Sequence, residues 1–554
     1  MPIRSAPRSI PAALLVACCL PLACSTLPSG AASDEARARE FLAFYNAGYQ
    51  QVARVSGEAQ WVSVTDVSAE HTAASVGAGK AAAAFTGNPY ALRMGTELLE
   101  DGVGLSAATR NELLRVMLRA AEAPGTIPDV VAARIEAEGN QSNVQDGFAF
   151  QMRQRDGTTK EVSANEIDRL LRESRDLGER LEAWRTAKTI GKPLKPGLVK
   201  LQGLRNRVAS ELGFADFFEL QVGDYGMQTP QMMQLLDKLL GEIRPLYEQL
   251  HCWAKHELAK RYGQQVPRRI PAHWLSNRWG QEWPGFVDAV DLDRYFAGRS
   301  AESIVEQAEQ FYVSMGFAKL PQTFWERSSL YPFPPGSKKR KNSHASAYHI
   351  DLENDVRSLM SVEPNFQWFE TTHHELGHIY YYASYTRPEV PPILREGANR
   401  SFHEGIGELI SLAASQQPYL REVGVLPKGT QIDPIQWQLN EALKSVVFMP
   451  WSIGVMSHWE HDFYAGLPAD QLNARWWSYV AKYQGIEPPE PRSEEWCDPA
   501  TKTHVNDDPA QYYDYALATV LKFQLHEHIA TKILKQDPRN CSYYGNKEVD
   551  RKSV

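Results

Sequence analysis

Cysteine is scarce in this sequence: there are six among 554 residues, and three of them fall within the first 24. Only Cys252, Cys497 and Cys541 lie in the body of the chain, so at most one disulfide can form there. The fold must therefore rest on buried apolar surface, not on cross-links. No pair of cysteines has zinc-ligand spacing. A basic excess is missing too. Lys+Arg number 59 against 67 Asp+Glu, a formal charge of −8, and nothing supplies a basic stripe to neutralise phosphates. That argues against a nucleic-acid partner. The one dense basic run, Lys338-Lys339-Arg340-Lys341, follows Pro334-Pro335-Gly336 and reads as a solvated loop. Beyond residue 23 no stretch is long and apolar enough to read as a transmembrane helix. Internal repeats, low-complexity blocks and flexible linkers are absent as well, which leaves one continuous folded unit as the simplest organisation.

What is present suits a large globular protein. Hydrophobic residues make up 43% and charged residues 23%, enough to fill one large core or two fused lobes. At the amino end, Arg4 and Arg8 precede a short apolar stretch, Ile10 to Leu22, with the pattern of an export signal over residues 1–23. Leu22-Ala23-Cys24-Ser25 resembles a bacterial lipobox, with Pro21 where a branched aliphatic is usual. The expectation is an exported protein, a periplasmic outer-membrane lipoprotein anchored at Cys24, followed by a small, polar tether over 24–37. A cut after Gly30-Ala31-Ala32 gives the alternative, a secreted form.

Helical periodicity dominates the rest. Glu40 to Val52, Arg110 to Ala123, Asn165 to Trp184 and Met232 to Tyr262 carry apolar residues at three- and four-residue intervals. Strand signals are sparse, with Phe148 to Met152 and Ala345 to Leu352 the best candidates. Pro and Gly punctuation predicts loops around 186–197, 263–271, 331–337, 386–397 and 485–499. The fold class expected is mainly α, over a catalytic domain spanning 38–549.

The strongest chemical signal is His374-Glu375-Leu376-Gly377-His378. On a helix, residues four apart share a face, so both imidazoles can meet one metal ion. Glu375 can instead reach the water that the metal activates. Zinc lowers the pKa of such a water to about 7, within reach of a carboxylate base. A catalytic site needs a third ligand. Downstream, Phe402-His403-Glu404-Gly405-Ile406-Gly407-Glu408-Leu409 is again helical, and Glu404 and Glu408 are four apart. Spacing allows either to bind zinc while the other orients a ligand histidine. Glu389 and Glu396, in a Pro-rich loop, are weaker candidates.

The run His373 through His378, with Leu394 to Asn399 and Phe402-His403-Glu404, resembles the angiotensin-converting enzyme family of peptidyl-dipeptidases. Ile270 to His273, Trp279 to Trp283, His344 to Ala347, Lys502 to His504 and Phe523 to Glu527 agree with it, so the likeness runs from about residue 37 nearly to the end. The resemblance implies two interlocked helical lobes around a deep central cleft holding one zinc ion, closed over by N-terminal helices. It implies His374, His378 and Glu404 as metal ligands, Glu375 as general base, and Glu408 as support for the zinc histidines in a place where an aspartate is usual. It implies Tyr515 as donor to the developing oxyanion, and His344 and His504 as holders of the carbonyl near the scissile bond. Ala345 and Ala347 would offer backbone groups to an extended peptide. Gln281, Lys502 and Tyr512 match a clamp for the substrate's terminal carboxylate, which points to peptides with a free C-terminus and release of C-terminal dipeptides.

Three departures from the family pattern stand out. The segment between His504 and Tyr512 is one residue longer, with Asn506-Asp507-Asp508 in the insertion region. Asp514 replaces an arginine that binds an activating chloride in animal members, so chloride activation through that position is not expected. Asp550 to Val554 diverge, where family domains continue for several tens of residues, as for a truncated end. The rival readings are a zinc carboxypeptidase or oligopeptidase of the same fold, and a catalytically inactive, lipid-anchored binding protein.

Overall fold

Most of the three- and four-residue apolar repeats become helices in the computed structural model, which describes residues 33–283, 292–334, 337–342 and 344–549. The expected signal at 1–23, Cys24 and the divergent 550–554 lie outside the described residues. Helices α1–α5 (Asp34–Thr65, Ala69–Thr86, Pro89–Glu100, Ala107–Glu122 and Pro128–Asp146) form the amino-terminal part. Helix α1 takes in the last four residues expected as tether, because the Ser33 side chain accepts the Ala36 N–H and starts the helix there. Helices α6–α10 follow (Ala164–Glu173, Leu177–Lys188, Gly191–Glu211, Phe217–Gly223 and Thr229–Tyr262). Next come α11 (Ala301–Met315), α12 (Gln322–Arg327), α13 (Phe366–Tyr385), α14 (Arg400–Ala414) and α15 (Gln417–Glu422). The last are α16 (Pro434–Met449), α17 (His458–Tyr464), α18 (Leu472–Tyr479), α19 (Thr503–Asp507) and α20 (Tyr513–His528).

Two local expectations change. The single helix predicted over Asn165–Trp184 is broken into α6 and α7, because Asp176 turns extended and accepts the Glu179 N–H as a cap. The loop predicted around 186–197 is largely helix. Pro193 sits in the first turn of α8, where a missing N–H costs nothing, and Pro196 forgoes only one ladder bond. The basic run is also less free than expected. Lys339 pairs with Asp66 at 2.9 Å, and the Lys341 ammonium donates to the carbonyls of Tyr331 and Met360 at 2.6 and 2.5 Å.

Strands are few, as expected for this class. β1 (Phe150–Arg153) and β2 (Thr159–Val162) make an antiparallel hairpin across Asp156-Gly157. β3 (Ile270–Pro271) pairs in parallel with β6 (Ile486–Glu487), and β4 (Ser346–His349) runs antiparallel to β5 (Val356–Leu359). Cys252, Cys497 and Cys541 are free thiols. None of the described helices is long and apolar enough to cross a membrane.

Two large cores explain the two-lobed architecture. One gathers Trp184, Leu198, Phe218, Met232, Trp451 and Trp459 from α7–α10, α17 and the segment before it. The other gathers Phe311, Phe369, Leu376, Leu409, Tyr419 and Tyr543 from α11, α13–α15 and the chain after α20. Helix α20 bridges them: Tyr513 and Ala516 near its start belong to the first, and Ile529 and Ala530 just past its end to the second. A smaller core under α1, α3 and α4 contains Phe41, Leu42, Leu98, Leu113 and Val116. Those helices are fastened to the loop before α14, where Glu396 accepts the Tyr49 hydroxyl at 2.8 Å and pairs with Arg119.

Candidate metal centre and substrate cleft

Helix α13 begins at a firm cap, Asn365 accepting the Trp368 N–H, and α14 begins at another, Asn399 accepting the Phe402 N–H. The two helices then touch through glycines. A Cβ built on Gly377 would lie 2.9 Å from the Gly407 Cα, and one on Gly407 would meet the His374 ring at 2.8–3.0 Å. Only hydrogen at position 407 leaves the imidazole its place. The same close approach brings Glu404 of α14 to the two histidines of α13.

His374 Nε2 and His378 Nε2 lie 3.0 Å apart, and Glu404 Oε2 lies 3.6 and 3.9 Å from them. One ligand atom from each of the three sits within 4.8 Å of the others. Three donors each about 2.0–2.2 Å from a single ion form a triangle of this size. Two imidazoles and a carboxylate are zinc-type ligands, and electrostatics favours a cation among them. Burial works against a charged His374, yet Glu404, Glu375 and Glu408 push its imidazole up to about 9. The residues present therefore fit zinc. Glu404 settles the choice that spacing left open. Glu408 has one oxygen 4.0 Å from His374 Nδ1, beyond a hydrogen bond, and the other 3.0 Å from the Lys522 ammonium. Glu389 and Glu396 pair with Arg387 and Arg119 instead.

Glu375 is buried, one of its oxygens has no hydrogen-bond partner, and burial pushes its carboxyl up to about 7. A carboxylate left so short of partners is a strong proton acceptor. A partner that sequence reasoning missed is His403. Its Nδ1 lies 2.8 Å from His378 Nδ1, and its Nε2 lies 3.2 Å from the Tyr385 hydroxyl. When His378 gives Nε2 to a metal, its Nδ1 carries the hydrogen and donates to His403, which fixes the ring. No spacing rule marks His403, because adjacent helix residues point in different directions.

A second group of side chains is drawn mostly from the first core, where Trp279, Tyr512 and Tyr515 pack, with β4 added from the metal-site lobe. The Lys502 ammonium donates to Gln281 Oε1 at 3.0 Å and lies 5.3 Å from the centre of the Tyr512 ring. The expected clamp residues are thus together. His504 Nε2 is 3.2 Å from the Tyr515 hydroxyl, and the His504 and Tyr512 ring centres are 5.0 Å apart. His344 approaches His504 edge-on, with ring centres 6.0 Å apart. Burial raises the Tyr515 phenol well above its ordinary value, so it stays a hydroxyl donor. Strand β4, carrying Ala347 and preceded by Ala345, packs against α13, and the Ala347 carbonyl accepts the Tyr382 hydroxyl at 3.3 Å.

Arg400 joins the two groups. It stands four residues before Glu404 on α14, forms ion pairs with Asp508 and Asp514, and approaches the Tyr515 hydroxyl to 3.4 Å. Asp514 is fully buried and accepts the Tyr225 hydroxyl at 2.5 Å.

A peptidase-family profile described as angiotensin-converting enzyme matches residues 32–553. The chain is similar to proteins named angiotensin-converting enzyme from three animals. The one from Theromyzon tessulatum is 31% identical over 411 residues, covering 70% of this chain and 64% of that protein. The one from Bos taurus is 29% identical over 559 residues, covering 95% of this chain and 41% of that protein. The one from Mesocricetus auratus is 30% identical over 407 residues, covering 70% and 30%. Each match spans less than two thirds of the relative's length.

Proposed function

Because the chain belongs to the angiotensin-converting enzyme family of zinc metallopeptidases, we propose that it is a peptidyl-dipeptidase that hydrolyses oligopeptides with a free C-terminus, two residues at a time. One observation carries this reading: a continuous ladder runs from the metal ligands to the clamp. Glu404 is one turn from Arg400, which reaches Tyr515. Tyr515 meets His504, His504 faces Tyr512, and Lys502 connects Tyr512 to Gln281.

Each residue has a task that follows from its chemistry. His374, His378 and Glu404 would hold zinc, which when bound polarises a carbonyl and acidifies water. Lys502, with Gln281 and Tyr512 as neutral donors, binds the terminal carboxylate and sets the length of the released piece. His504 and His344 hold the peptide carbonyl beside the scissile bond, and β4 offers backbone groups to the extended chain. Glu375 takes the proton of the attacking water and later returns it to the leaving nitrogen. Tyr515 donates to the oxygen on which negative charge develops, a contact stronger in the transition state than in the planar substrate.

The test is a pair of peptides differing only at the end, one with a free carboxylate and one amidated. The amidated peptide should lose most of its cleavage through a raised KM. Equal cleavage of both would point to an internal oligopeptidase. The same proposal includes export, supported by Arg4, Arg8 and the apolar stretch from Ile10 to Leu22. Labelled palmitate entering the wild type but not Cys24→Ser would support the lipid anchor, and no labelling would favour the secreted form.

A further inference from the structure

We propose that Arg400 is a positioning residue for the oxyanion donor: held by Asp508 and Asp514, it fixes the Tyr515 hydroxyl as a donor toward the substrate. The inference rests on the role given above to Tyr515. A guanidinium can only donate hydrogen bonds. With Arg400 Nη2 at 3.4 Å from the Tyr515 oxygen, a lone pair of that oxygen faces a donor, and the hydroxyl hydrogen must point elsewhere. The hydroxyl's other hydrogen-bond partner among the described residues is His504 Nε2 at 3.2 Å, so the hydrogen lies on the His504 side until a substrate oxygen arrives there to take it. A cation on the phenol oxygen also polarises the O–H bond, which strengthens it as a donor to developing negative charge.

The arrangement is built, not incidental. Arg400 pairs through both terminal nitrogens with the two Asp508 oxygens, a bidentate contact that fixes the plane of the guanidinium. Its Nε faces Asp514 Oδ2 at 3.4 Å, and that carboxylate is fully buried at the start of α20, one residue before Tyr515. Asp514 in turn accepts the Tyr225 hydroxyl, which also contacts Ser401 Oγ at 2.6 Å, next to Arg400 itself. Two features that stood out in the sequence thus acquire a shared purpose. The longer segment after His504 delivers Asp508, and the acid at 514 receives a cation supplied from position 400.

A double-mutant cycle on the purified, zinc-loaded full chain tests this, with Arg400→Gln, Tyr515→Phe and the pair together. Tyr515→Phe should lower kcat about 100-fold, the size of losing one oxyanion donor. Arg400→Gln should lower kcat roughly 10-fold or more, the size of losing an outer partner, with KM nearly unchanged. In the Tyr515→Phe background the same change should cost less than about twofold, because its target is gone. Arg400→Lys, which keeps the charge and loses the fork, should recover part of the loss. Should Arg400→Gln fail to fold, Asp508→Asn, which loosens the guanidinium from its exposed side, should reduce kcat in the same sense. Full additivity with Tyr515→Phe, or unchanged kcat in both Arg400→Gln and Asp508→Asn, would overturn the inference. An undiminished kcat in Tyr515→Phe would count against the parent reading instead.

Discussion

On one face of the cleft, the metal donors come from neighbouring helices α13 and α14, packed together through Gly377 and Gly407. On the other, Gln281 and Lys502 meet across 221 residues of sequence, in the other lobe, with Tyr512 beside them. The first face is set by helix geometry: four residues return a side chain to the same side, and a glycine contact brings the second helix close enough. The second depends on how the segments of the other lobe pack around the cleft, so small changes of packing shift its members relative to one another. In the proposed reading, the metal ligands and the proton acceptor sit on the local face, and the residues that choose substrate length sit on the assembled one.

Breaking the local face should have the largest effect. Glu375→Gln keeps the shape and removes the proton acceptor, so kcat should fall about 10²–10⁴-fold with zinc content unchanged. Steady-state kinetics beside metal analysis checks it. A subtler break is Gly407→Ala, whose methyl would meet the His374 ring. It should weaken zinc affinity roughly 10- to 100-fold, measured by competition with a chelator, while helix content by circular dichroism stays the same.

On the assembled face, Lys502→Gln should raise KM about 10-fold or more through loss of a charge-assisted bond, leaving kcat closer to wild type. The same lysine predicts a pH dependence. Burial, with Arg278 nearby, lowers its ammonium to about 7. It is charged below that pH and neutral above, so KM for a free carboxylate should rise as pH climbs through about 7. KM for an amidated peptide should show no such limb. The smallest effect concerns chloride. With Arg400 already held through both terminal nitrogens by Asp508, and Asp514 fully buried where burial pushes its carboxyl well above the ordinary value, no free cation is left there for an anion, so rates in chloride-free and high-chloride buffer should be the same. A strong activation would mean that an anion displaces Asp508 from Arg400 or binds elsewhere.

The two faces also differ in how far they were legible before the structure. His374 and His378 follow from spacing alone, and the caps Asn365 and Asn399 stand in the sequence where helices start. The choice of Glu404 over Glu408 needed coordinates, because both satisfy the same helical period. The Lys522 ammonium that holds Glu408 comes from another helix. Gln281, Lys502 and Tyr512 carry no local signal, and only the family resemblance linked them. Arg400 had no place in the sequence reading, and its acids at 508 and 514 come from beyond its own helix. Misplaced helix boundaries had local causes: a cap at Asp176 that split one helix, and prolines near a helix start that looked like a loop.

The central claim is that the clamp and the metal site lie two residues of substrate apart. Mass spectrometry of a peptide with a blocked N-terminus, incubated with the zinc-loaded protein beside Glu375→Gln, tests it most directly. The account predicts products that shorten from the C-terminus by two residues at each step, none of them formed by the variant. Products shortened by single residues, or internal fragments, would contradict it.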